Sequence, residues 1–69
     1  MAAAPQWKVY DALGVYQAAC KEIEAAACLV SLYGDGATIR KHHGPVVFTE
    51  GVDEADGYDA VASLVYSRT

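Results

Sequence analysis

Two short stretches of this chain alternate between apolar and polar residues, and two longer ones repeat with helical spacing. Trp7-Lys8-Val9-Tyr10 alternates and is rich in β-formers, which predicts a strand. Asp11-Ala12-Leu13-Gly14 reads as a turn and Val15 to Cys20 as the returning strand, together a β-hairpin. Glu22 to Tyr33 is alanine-rich and stops at Gly34, and it places Ile23, Ala26, Ala27, Val30 and Tyr33 on one helical stripe that Leu29 and Leu32 widen. Gly34-Asp35-Gly36 is a turn. Ala37 to Lys41 alternates as a third strand, His42-His43-Gly44-Pro45 turns, and Val46 to Thr49 is a fourth strand. Glu50 to Asp53 links to a last helix that starts near Asp53 or Asp56 and ends near Tyr66. The spacing of Asp56 and Asp59 resembles a capping box, and Tyr58, Val61, Ala62 and Val65 form the apolar face. Residues 1–5 read as a frayed leader.

The order is ββαββα, a hairpin and a helix given twice. It predicts a single small α+β domain over residues 1–69, a four-stranded antiparallel sheet with both helices packed on one face. Trp7, Val9, Ile39, Val46 and Phe48 are expected on the core side of the sheet, and Lys8, Tyr10, Thr38 and Arg40 on the open side.

Composition narrows the function classes. In 69 residues the apolar fraction is 54%, so the chain is neither a disordered tail nor a fibrous repeat. Its longest weakly polar run, Ala25 to Tyr33, is far too short to span a bilayer, and Met1 to Pro5 carries no basic n-region of a signal peptide. The cytoplasm is the expected compartment, with Cys20 and Cys28 as reduced thiols.

Charge changes the picture more. Residues 1–41 are neutral in sum, whereas residues 42–69 hold Glu50, Asp53, Glu54, Asp56 and Asp59 against Arg68 alone. The whole net charge of -4 therefore lies in the last third. Acids near a helix start are often only solvated capping residues. A negative patch can also occupy a basic groove built for phosphates, and long-range attraction then raises the association rate. Tyr10, on the polar side of its strand, and Tyr58, next to those acids, are the candidate aromatic anchors, because tyrosine is enriched at interface hot spots.

Other chemistry finds little support. Asp53-x-x-Asp56-x-x-Asp59 does not match an EF-hand loop, and Cys20-x7-Cys28 is not a zinc spacing, so no metal or other cofactor is expected. Arg40-Lys41-His42-His43 reads as a polar turn guarding a sheet edge. Gly34-Asp35-Gly36 precedes a strand, not a helix, and so is no phosphate loop. Ser31 and Ser63 have no base placed beside them by any motif, and an enzyme is not expected.

The segments Trp7-Lys8-Val9-Tyr10-Asp11-Ala12-x-Gly14, Ala19-Cys20-Lys21, Ala25-Ala26-Ala27, Gly34-Asp35-Gly36-Ala37-Thr38-Ile39-Arg40 and Glu50-Gly51 resemble a group of short phage and prophage proteins. The resemblance spans roughly residues 7–51 and consists mostly of turn and core positions. In size, acidity and α/β character the chain is similar to type I anti-CRISPR proteins. That resemblance implies a non-enzymatic inhibitor that binds a host CRISPR surveillance complex and blocks target DNA, often through an acidic surface. It carries over no catalytic residue, and most of the acids of residues 50–59 lie outside it. Two other readings stay open: a homo-oligomeric accessory module paired through a free strand edge, and a protein that sequesters a small molecule at an oligomer interface.

Overall fold

A computed structural model describes residues 6–69, so the leader expected at 1–5 lies outside the described residues. The elements run β1 (Trp7–Tyr10), β2 (Tyr16–Cys20), α1 (Ile23–Tyr33), β3 (Thr38–Lys41), β4 (Val46–Thr49) and α2 (Tyr58–Arg68). The sheet is antiparallel with strand order β2-β1-β3-β4. Each hairpin thus contributes its first strand to the centre, where Lys8 faces Arg40 and Val9 faces Ile39. Both helices cover one face of this sheet and pack against each other.

The core follows from that arrangement. Trp7, Val9, Ile39 and Phe48 from the sheet meet Ile23, Ala26, Ala27, Val30, Val61 and Val65 from the helices, all buried. The alanines let α1 lie close to the strands. Trp7 is 1% exposed and meets the Tyr66 ring edge-on at 6.0 Å. Its indole N–H has no hydrogen-bond partner among the described residues.

Several expectations need correction. Val46 is 42% exposed, and Val47 is buried in its place. The ladder explains this: Ile39 faces Phe48 but Arg40 faces Val46, so Val47 is the extra residue of a β-bulge. The bulge shifts Val46 to the face of Arg40, which strict alternation denied it. Leu32 is exposed on the outer side of α1, and Tyr33 is 42% exposed at its end. Cys20 is buried, and burial pushes its thiol pKa up, whereas Cys28 is only half-buried.

The last helix starts later than either expected point. Gly57 has φ 93° at the N-cap, outside the right-handed helical region, so the helix begins at Tyr58. Neither Asp56 nor Asp59 makes a cap hydrogen bond, so the capping box does not form. The helix also runs on to Arg68, whose positive charge suits a helix C-terminus.

In the first hairpin the loop is built on Asp11. One carboxylate oxygen accepts the Leu13 and Val15 amides at 2.9 and 3.0 Å, and the other accepts Gln17 Nε2 at 2.8 Å. The amide of Val15 and the Gln17 side chain are the main bonds that hold the Asp11 carboxyl below the usual carboxylate range. In the second hairpin His42 takes the left-handed conformation at φ 55°, a region that histidine tolerates better than most residues.

Candidate functional site

The acidic segment does not form a simple loop. After β4 the chain folds back on itself: the Val52 and Asp53 amides both donate to the Thr49 carbonyl. This turn carries Glu50, Gly51, Asp53, Glu54, Ala55 and Asp56 around an open groove of about 560 Å³. Glu54 and Asp56 are exposed, Glu50 is half-buried, and Asp59 is exposed in the first turn of α2. Tyr58, 51% exposed, follows directly. The nearby Cys28 thiol of α1 raises its phenol pKa.

A sixth acid lies close by. Gly51 lies directly against Asp35, of the α1–β3 turn: a Cβ built on Gly51 would sit 2.6 Å from the Asp35 carboxyl carbon. The two turns are held together by Gly36 N–H donating to the Glu50 carbonyl and Glu50 N–H donating to the Ala37 carbonyl, both at 2.8 Å. In sequence Asp35 belongs to the neutral first part of the chain, and no local pattern reports this contact. Gly51 also has φ 81°, which an L side chain rarely adopts. We therefore expect Gly51→Ala to cost about 1–3 kcal/mol in combined strain and overlap. Thermal unfolding measures it, and an unchanged melting temperature would show that the Asp35 turn moves away freely.

Asp53, in contrast, serves the fold. Its Oδ2 accepts the Thr49 amide at 2.9 Å, and its Oδ1 accepts Arg68 Nη2 at 3.0 Å. Arg68 Nη1 donates in turn to the Val47 carbonyl at 3.0 Å. The alternation of the ladder points the backbone groups of Val47 and Thr49 away from β3, along the outer edge of β4. The Asp53–Arg68 pair thus caps that edge. The Arg68 guanidinium, followed by the Thr49 amide, holds the Asp53 carboxyl below its ordinary range, and Asp53 raises the pKa of Arg68.

The pH dependence follows. A carboxyl whose pKa is lowered on folding contributes stability above the unfolded carboxylate pKa, and loses it as pH falls through the folded value. Thermal unfolding of the native chain should therefore weaken between about pH 5 and pH 2. Asp53→Asn should flatten part of that slope; the same slope in the variant would assign the effect to Asp11 alone.

Tyr10 does not join the acids. Its hydroxyl lies 2.6 Å from His43 Nδ1, its ring is edge-on to Tyr16 at 5.7 Å, and the Arg40 guanidinium sits 4.7 Å over it. This cluster belongs to the sheet face without helices, where Lys8, Tyr10, Thr38 and Arg40 are half-buried. Of the seven candidate residues, then, Glu50, Glu54 and Asp56 share one groove with Asp53, and Asp59 and Tyr58 lie just beyond it on α2. Among the described residues no group of three His, Cys, Asp or Glu side chains could hold a metal ion. Among the described residues no helix is long and apolar enough to cross a membrane. Comparison with family models, curated proteins and solved structures finds no match to this chain.

Proposed function

We propose that this chain is a non-enzymatic inhibitor that docks its acidic rim into a cationic groove on a protein partner. The observation that carries the reading is the convergence of Glu50, Glu54 and Asp56 on one open groove, with Asp35 against Gly51 and with Asp59 and Tyr58 just beyond on α2. A shallow acidic depression suits the lysine and arginine side chains that line a phosphate-binding channel. The resemblance to type I anti-CRISPR proteins supplies the particular partner: the DNA-binding groove of a CRISPR surveillance complex in a bacterial cytoplasm. In this reading the acids stand in for backbone phosphates, and Tyr58 is the aromatic anchor. The protein needs no cofactor and contacts neither nucleic acid nor membrane.

An interface of about 800 Å² per partner is ordinary for a specific complex and would occupy a large share of so small a surface. The test is binding to a purified type I surveillance complex in the presence and absence of target DNA. Displacement by target DNA, with affinity falling as salt rises, supports the reading. Binding that target DNA leaves unaffected rejects the DNA-competitive mechanism, and no binding rejects the partner.

A further inference from the structure

We propose that the outer edge of β2 pairs with β2 of a second copy of this chain, across a two-fold axis at Ala19. The inference uses no residue of the acidic rim. It rests on a difference between the two edges of the sheet. The edge of β4 is closed, because Val47 and Thr49 already bond to Arg68 and Asp53. No such cap exists on β2 among the described residues.

The ladder says which groups are open. Gln6 accepts the His42 amide, so Gln6, Lys8 and Tyr10 direct their backbone groups toward β3, and Trp7 and Val9 direct theirs toward β2. Cys20 and Ala18 face Trp7 and Val9, and Ala19 faces Lys8. The N–H and C=O of Ala19 therefore point outward. The strand reads Tyr16-Gln17-Ala18-Ala19-Cys20, with none of the charges or prolines that commonly protect an edge.

Its own sequence suits a second copy. Antiparallel pairing centred on Ala19 sets Ala19 against Ala19, Ala18 against Cys20, and Gln17 against Lys21. No like charges meet, and the side chains nearest the axis are small, so two strands can approach fully. Such a contact is isologous and closes after two chains, because each β4 edge is capped. The register shift near Gln17 limits the regular edge to about Ala18–Cys20, which makes this a weak dimer.

Sedimentation velocity of the full chain, from about 10 µM to about 1 mM, is the test. A monomer–dimer equilibrium is expected in the wild type. Ala19→Pro removes the outward N–H and leaves the ladder to β1 intact, so dimerisation should weaken at least about 10-fold. A wild-type monomer at every concentration overturns the proposal, as does a dimer that Ala19→Pro leaves unchanged. A second variant guards against misfolding. In Ala19→Cys the two new thiols face each other at a Cα separation of about 5.5 Å, within disulfide range. Mild oxidation should join position 19 of two chains, read by peptide mass spectrometry. A persistent dimer without that cross-link overturns the register. Charge-reversed variants of the acidic rim keep β2 intact, so failure of the inhibitor reading and failure of this one are separately visible.

Discussion

Alanine at Phe48 should lower the melting temperature by roughly 15–30 °C and leave little folded protein under mild denaturant. Phe48 is 1% exposed and faces Ile39 across the β3–β4 ladder, beneath the two helices. Truncating a buried phenylalanine costs about 3–5 kcal/mol, because the lost burial is joined by the cavity left behind. A chain of 69 residues has a total stability of only roughly 3–10 kcal/mol. One side chain is thus a large fraction of the whole. The informative control is Val46→Ala. Simple alternation puts Val46 in the core beside Phe48, but the bulge turns it outward, so its truncation should cost no more than about 0.5 kcal/mol. Urea titration of both variants separates the two pictures. Comparable losses at the two positions would mean that β4 runs without the bulge.

The second large effect belongs to binding. Glu54→Lys with Asp56→Lys should weaken the complex with the cationic partner at least about 100-fold at low salt while leaving the circular-dichroism spectrum unchanged. Both carboxylates are exposed at the groove and make no hydrogen bond among the described residues. Reversing two rim charges replaces attraction with repulsion, and electrostatic steering is lost with it, so the association rate should fall most. Asp53 is excluded from this set on purpose. Asp53→Lys would remove the cap of β4 and set a lysine beside Arg68, so lost binding there would mix recognition with unfolding. Unchanged affinity in the double variant, read by biolayer interferometry over a salt series, would leave the acids as solubilising residues only.

The sequence carried the architecture because the information for it is local. Period-two alternation in residues 7–10 and 38–41 marked strands, and the alanine-rich stripe from Ile23 to Val30 marked a buried helix face. The order ββαββα with helices on one face then follows from the need to cover one side of an antiparallel sheet. Local patterns were weaker where one backbone torsion decided the outcome. The positive φ of Gly57 set the start of α2, and the extra residue Val47 exchanged the places of two neighbouring valines. Neither event leaves a mark in hydrophobic periodicity.

The candidate site divides in the same way. Composition alone located the charge imbalance, because net charge adds along the chain without regard to folding. Which acids are available to a partner is a matter of distance between segments. Asp53 and Arg68 are 15 residues apart in sequence and meet only when α2 returns along β4. Asp35 reaches Gly51 only because β3 and β4 pair and bring the two turns side by side. Alternation puts Tyr10 on the polar side of its strand, but only the fold brings its hydroxyl to His43, 33 residues away. By itself, then, the sequence determined the elements, their order and the sign of the surface charge, all of which depend on neighbours within a few residues. The tertiary structure decided which acids cap an edge, which gather around the groove, and which strand edge stays open, because hydrogen bonds and ion pairs form between groups that only the folded chain brings within 3 Å.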